Sequence, residues 1–495
     1  MKRSAFIIAI ALFFSVFVPS FSNAAPKSGA VCTSKGKVQI YKGYKYTCVK
    51  KSGKLVWSKG PAQEVKSQPP TNPAVDSSIN YLYGVYDKDP NPPAEWKQYQ
   101  DFITSNAYHT GPLRYVEKLL GSSKPVSSVY QKTVRSDISL CKPKQIHNYP
   151  ILGFVSPEDS SKINFNPHPS PTTKFQVVPV QWREYEGKGT PNQDYGKYFR
   201  FVENWIRNNS DNGSTVEIKI PEKYFTLPKG INQYSGINTH GQPTDGGRAF
   251  FADAIASVDP YIDFSGVDIV LLVVPPNTPI RYLGNQPWSS NPRSAEGPIR
   301  SILTNPPHDL TTWHINHQLG IPGAWIHEIW HAGRDLGDHG GVGAMGSWGV
   351  MSSMGMDLMG WEKYVAGFMS DKQIICAATT GKYEYWIVPS TIKGDYEKLL
   401  VLPVNETRVV VIESMRSYGY NYKLGRESQG ALVYIIDTSR NGYHEGEHVV
   451  VPAGRSFDGY MDAPLKQGES ITVEGYTISI VEAGLFGEVV RVEKA

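Results

Sequence analysis

The spacing of apolar and polar positions changes character along the chain. After an opening apolar run, Ala5 to Val18, residues 31–58 alternate. Lys37-Val38-Gln39-Ile40-Tyr41, Tyr44 to Val49 and Leu55-Val56-Trp57 are separated by turn residues at Lys42-Gly43 and Ser52-Gly53, which predicts a three-stranded meander. Residues 60–75 are rich in proline and read as an extended linker. Helical spacing follows over residues 76–140, clearest in Glu95–Thr104 and Leu113–Leu120. From Val177 strands and helices alternate. Val177–Trp182, Thr215–Ile220, Lys223–Leu227 and Val267–Val274 read as strands, Tyr195–Asn208 and Gly247–Val258 as helices, and His314–His317 as an edge strand. The nearly unbroken apolarity of Val267–Val274 suits a central strand covered on both faces. Beyond the segment Ala324–His339 the pattern turns to short β runs between glycine-rich turns: Val409–Glu413, Ala431–Asp437, Glu447–Val451, Ser470–Val473, Thr477–Glu482 and Glu488–Val492. The expected class is α+β: a mixed sheet with helices, then an antiparallel β-sandwich or barrel.

The expected organisation is therefore a leader (1–25), a small β module (26–59), a linker (60–75), an N-terminal helical or pro-like region (76–174), a catalytic domain (175–385) and a C-terminal β domain (386–495). The leader follows from Lys2 and Arg3 ahead of the apolar run and from Ser22-Asn23-Ala24, small residues suited to a cleavage site. Pro19 interrupts the run, and no later stretch approaches the roughly 18 apolar residues of a membrane span. The expected location is extracellular or at the cell surface. A formal charge of +4, less the leader's two cations, gives no electrostatic case for nucleic acid. Four cysteines, Cys32, Cys48, Cys141 and Cys376, favour two disulfides in an exported chain: Cys32 with Cys48 locally, and Cys141 with Cys376. The alternative gives Cys141 a latent role as a thiolate blocking a metal and leaves Cys376 unpaired. Residues 26–59, too small to hold together without a disulfide, are a candidate for cell-wall contact or a spacer.

The chemistry concentrates in His327-Glu328-Ile329-Trp330-His331. On a helix His327 and His331 stack one turn apart and offer two imidazole nitrogens to one metal, while Glu328 lies about 100° round the same turn. This HExxH spacing belongs to zinc peptidases, two ligands plus a carboxylate that takes a proton from water. The plain alternative is a buried amphipathic helix whose histidines bond to backbone. Pro322 suits the first turn, and Trp325, Ile329 and Ala332 form an apolar face. A catalytic zinc needs a third protein ligand. Asp335 on a straight helix would lie about 12 Å along the axis from His327, so the chain must turn back, with Gly333 or Gly337 supplying the turn. Asp338 is the first choice for the ligand and His339 the second.

Further segments in order extend the pattern: Trp348-Gly349-Val350-Met351-Ser352-Ser353-Met354-Gly355, Trp361-Glu362-Lys363-Tyr364-Val365-Ala366-Gly367-Phe368, Tyr261–Asp268, Ile412–Arg416 and Gly430–Asp437. Together with HExxH they resemble the immune inhibitor A family of secreted bacterial metallopeptidases, relatives of the metzincins, over roughly residues 175–493. The resemblance implies a metzincin-like catalytic domain, a catalytic Zn²⁺, Met351 as the floor beneath it, Tyr364 as a candidate for oxyanion stabilisation, and protein or peptide substrates. A Ca²⁺ ion is admissible, but no stretch specifies a site. The chain departs from the family's HExxHxxGxxD motif. Gly333 comes one residue early, Gly337 stands where the aspartate is expected with Asp338 one later, and Gly349 replaces the aspartate after the turn tryptophan.

The functional expectation is a secreted zinc endopeptidase with ligands His327, His331 and Asp338 and with Glu328 as general base. A thermolysin-like variant would take its third ligand from Glu362. A reading of another class makes the chain an exported cell-envelope binding protein on an inactive peptidase scaffold.

Overall fold

In the computed structural model the described residues are 27–41, 44–62, 125–126, 134–148, 150–155, 172–234, 244–279, 288–303, 321–334, 336–337, 344–353, 357–416, 418–421, 424, 426–440, 445–455 and 458–494. The leader, the helical patterns at Glu95–Thr104 and Leu113–Leu120, and His314–His317 lie outside them. The chain divides after Thr71 into two compact units.

The first unit is the meander: β1 (Val38–Tyr41), β2 (Tyr44–Lys51) and β3 (Lys54–Ala62), antiparallel throughout. Ser52 and Gly53 both have positive φ (47° and 79°), the backbone twist that a two-residue hairpin needs. The Cys32–Cys48 disulfide lies in a core made with Tyr46 and Trp57.

In the second unit, the described residues 134–148 and 150–155 include a helical turn, Ile138–Cys141. A mixed sheet follows, built from β4 (Thr172–Gln181), β5 (Thr215–Lys219), β6 (Phe225–Thr226), β7 (Ile269–Val273), β8 (Trp288–Ser290) and β11 (Arg300–Leu303). Its order is β5-β4-β7-β11-β8, with β6 beside the end of β4, and only β8 runs antiparallel to its neighbour. A small hairpin, β9 (Arg293–Ser294) and β10 (Gly297–Pro298), joins β8 to β11. Three helices cover the sheet: α1 (Pro191–Asn209), α2 (Asp245–Val258) and α3 (Ile321–Arg334). Alternation along the buried strands sorts the faces. Phe175, Val177, Ile269 and Leu271 pack with α1 and α3, whereas Val178, Val180, Val270 and Leu272 pack with α2. Helix α1 starts before its apolar pattern because Thr190 and Gln193 form a reciprocal capping box with Pro191 in the first turn.

Two short helices, α4 (Val350–Ser353) and α5 (Gly360–Val365), lead into two further sheets. One comprises β12 (Ile374–Cys376), β14 (Leu399–Asn405), β15 (Arg408–Met415), β16 (Gly430–Asp437) and β17 (Glu447–Val449). The other comprises β13 (Gly381–Ile387), β18 (Ser470–Val473), β19 (Tyr476–Gly484) and β20 (Gly487–Lys494), in the order β13-β20-β19-β18. All pairings are antiparallel except β12 with β14. The five-stranded sheet is covered on both sides. Leu400, Leu402, Val410 and Ile412 meet the four-stranded sheet, whereas Leu399, Val401, Val411 and Leu432 join the core of α3, α4 and α5. Strands β12 and β13 already belong to this sandwich, so its sheets begin ahead of residue 386. The sequence pattern places the change later because β12 is only three residues long and carries no alternation.

Residues 134–155 are fastened to the sandwich and its approach. Cys141 is disulfide-bonded to Cys376, which leaves no thiolate for a latent metal block. The Trp361 indole N–H donates to the Leu152 carbonyl at 2.9 Å. Phe154 packs against Trp361 and Tyr364. Deeper in the unit, Asp211 after α1 receives the Lys398 ammonium and the Gln373 amide, both from the C-terminal half. Among the described residues no helix is long and apolar enough to cross a membrane.

Candidate metal centre

Helix α3 is held by its aromatic face. Trp325 stacks on Tyr195 of α1 with ring centroids 6.1 Å apart and also meets Tyr198 and Phe199. Trp330 lies 5.8 Å from Trp205 and 5.1 Å from Phe368. Gly333 stays inside the helix rather than ending it. A Cβ there would sit 3.0 Å from Ile269 Cδ1, so glycine lets α3 approach β7. The helix ends at Arg334, where the Arg300 guanidinium of β11 donates to the Ala332 carbonyl, a favourable place for a cation. The Leu336 N–H then reaches back to the Trp330 carbonyl.

On this helix the two imidazoles are turned toward each other. His327 is buried, His331 is half-buried, and their planes cross at 86°. Nδ1 of His327 lies 2.9 Å from the Val350 carbonyl, and Nδ1 of His331 lies 2.7 Å from the Leu336 carbonyl. A carbonyl only accepts, so both protons sit on Nδ1 and both Nε2 atoms present lone pairs. Those Nε2 atoms are 2.9 Å apart. Two lone pairs at that distance repel unless a cation lies between them, either a metal ion or the second proton of one imidazolium. Two imidazole nitrogens at about 2.0–2.1 Å from a tetrahedral zinc lie about 3.3 Å from each other by geometry, close to what is seen. A backbone carbonyl behind each imidazole fixes ring orientation and tautomer as metal-binding histidines require. Glu328 is partly exposed on the same helix.

The Val350 carbonyl that holds His327 belongs to the turn over residues 344–353, and that turn is clamped from the C-terminal sandwich. The Ser347 N–H donates to the Gly459 carbonyl, and the Trp348 indole donates to the Tyr460 carbonyl, both at 2.9 Å. Gly346 (φ 62°) approaches the 459 backbone so closely that a Cβ would lie 2.3 Å from the Gly459 carbonyl oxygen. Gly349, at φ 80°, leaves space for a side chain only if Met359 moves, since a Cβ would lie 3.0 Å from its Cγ and 3.6 Å from Glu362 Oε2. Glycine at 349 is thus a backbone requirement. Met351 is buried in the core that also contains Trp325, Ile326 and Ile329 of α3.

Beneath the turn lies a polar network that the sequence did not announce. The Val350 N–H donates to the Asp357 carbonyl at 2.9 Å, and the Asp357 carboxylate pairs with Lys363 at 3.0 Å, both side chains almost wholly buried. Burial raises the Asp357 pKa above the ordinary carboxylate range, while the Lys363 charge and the Leu358 N–H work against that rise. Lys363 also donates to the Ser390 carbonyl. Glu413 accepts from the Gly360 N–H, Ser390 and Tyr434, and burial raises its pKa too. One aspartate and one lysine six positions apart among Leu358, Met359 and Trp361 carry no distinctive spacing; only their apolar flanks hint at burial.

The remaining expected residues fall as follows. Asp338 and His339 lie outside the described residues. Glu362 is fully buried and its carboxylate caps α5, accepting from the Met359 N–H at 2.7 Å. Among the described residues no third His, Cys, Asp or Glu forms a metal-holding group with the two histidines, so the thermolysin-like assignment of Glu362 is not met. Tyr364 donates its hydroxyl to Asp371 at 2.7 Å. Burial first and Asp371 second push its pKa far above the ordinary phenol value. No family model matches the chain, and no curated protein or solved structure is detectably similar to it.

Proposed function

We propose that this chain is an exported zinc-dependent endopeptidase with a metzincin-like catalytic half, akin to the immune inhibitor A family. One observation carries the reading: two imidazoles whose Nδ1 protons are spent on backbone carbonyls and whose Nε2 lone pairs converge at 2.9 Å. The ordered segments around Trp348 and Trp361 support it, and export rests on the leader pattern together with two disulfides.

His327 and His331 would hold the ion, with Asp338 as third ligand. A single residue, Gly337, separates Asp338 in sequence from Leu336, whose carbonyl is bonded to His331. Zinc, when bound, supplies Lewis acidity to a water and to the scissile carbonyl. Glu328 takes the proton from the attacking water and returns it to the leaving amine as the C–N bond breaks. The Val350 and Leu336 carbonyls keep both imidazoles in the ligating tautomer throughout.

The test is zinc content and casein hydrolysis of the purified protein before and after chelation. One zinc per chain is expected, with cleavage lost on chelation. His331→Ala should lose the metal. Undiminished cleavage by chelated protein, or histidines that bind no zinc, would sink the proposal.

A further inference from the structure

Averaged over the chain, charge is nearly balanced, but its distribution is not. Between Pro26 and Gly60 there are nine lysines and no arginine, aspartate or glutamate. Set against +4 for the whole chain and +2 for Lys2 and Arg3, the module's +9 leaves −7 for residues 61–495. The cationic part coincides with the first compact unit and the anionic part lies in the second. The lysines are on the surface: Lys35, Lys37, Lys50, Lys51 and Lys54 are all exposed. They are not confined to one side. Lys50 shares the strand face of Cys48, while Lys51 and its cross-strand partner Lys54 lie on the opposite face. No carboxylate within the module can neutralise them.

From this arrangement we infer that the N-terminal module is an attachment unit for a linear polyanion, a flexible polymer carrying phosphodiester or carboxylate groups at close intervals. Lysines distributed over both faces of a thin sheet can be followed by a chain that wraps, whereas a flat bilayer meets one face only. Lysine alone, without arginine's bidentate fork, suits recognition by charge density rather than by one defined headgroup. The attachment is independent of the metal centre.

The test measures binding of the full-length protein to fluorescent inorganic polyphosphate and to polyglutamate, with vesicles of mixed neutral and anionic lipid as a separate arm. Engaging about four lysines predicts a fall of about a hundredfold in affinity from 50 to 200 mM salt, because each contact releases roughly one counterion. Changing Lys35, Lys37, Lys51 and Lys54 to Gln should weaken binding by roughly tenfold or more, with the Cys32–Cys48 disulfide intact by mass as the check on folding. Changing Lys174 and Lys188, exposed lysines of the second unit, to Gln should leave binding unchanged. The inference is overturned if neither polymer binds at 50 mM salt or if the fourfold variant binds as tightly as the parent. Binding to vesicles alone also overturns it, as does low-salt self-association of the protein without polymer binding.

Discussion

The two disulfides close very different loops, and their removal should have separable effects. Cys141 and Cys376 are 235 residues apart and both buried, whereas Cys32 and Cys48 are 16 apart. Loop-closure entropy grows with the logarithm of length, which gives about 5.5 kcal/mol for the long loop and about 3 kcal/mol for the short one at 25 °C. Residual structure in the unfolded chain lowers both, so about 3–5 kcal/mol is expected from the long crosslink. The double variant Cys141→Ala/Cys376→Ala should lower the urea midpoint of the main tryptophan fluorescence transition, since Trp325, Trp330, Trp348 and Trp361 all lie in that core. Cys32→Ala/Cys48→Ala should leave that transition in place and make only residues 27–62 sensitive to protease, because the module is a separate compact unit with its own core. If removing the short crosslink shifts the main transition, or removing the long one shifts nothing, the account of two units and of a segment 134–155 fastened by Cys141 is refuted.

Other outcomes follow from the site and its surroundings. Glu328→Gln should keep its zinc and lose about 10²–10⁴-fold in casein hydrolysis; a variant as active as the parent would remove Glu328 from the mechanism. Gly349→Ala should cost about 1–2 kcal/mol for the left-handed backbone, and Gly349→Asp should cost several kcal/mol more by placing a second carboxylate beside buried Glu362. Thermal melting and zinc retention read both, and an unperturbed Gly349→Asp would contradict the turn geometry. Burial first, and the Lys363 charge with it, pushes the Lys398 pKa from 10.5 down to about 8, against the opposing pull of Asp211. Between those values the unfolded chain holds the extra proton, so Lys398 adds stability as pH rises from 8 to 10.5, up to about 3 kcal/mol, and none below 8. Urea midpoints across that range, compared with Lys398→Met, measure the contribution; identical pH dependence in the two proteins would exclude it.

What could be read from the sequence was periodic or chemically rare. Val267–Val274 identified the central strand, which emerged as β7 with every residue buried. HExxH marked a helix that formed as α3, and four cysteines implied their two pairings. Short elements escaped: β8 to β12 have two to four residues each and leave no period to detect. The groups that orient the histidines escaped for another reason. Val350 and Leu336 contribute backbone carbonyls, which every residue has, and the sequence cannot mark which one faces an imidazole. Net charge misled by averaging, since a cationic module and an anionic remainder cancel in the total.

The contact between Gly346 and Gly459 joins distant parts of the chain. The turn that presents Val350 to His327 leans on residues more than a hundred positions later in the chain. Nearby in sequence, β18 belongs to a sheet in which β20 lies between β13 and β19. HExxH therefore precedes, by more than a hundred positions, the residues that clamp the turn facing it. The orientation of the histidine pair thus depends on residues drawn from both halves of the second unit.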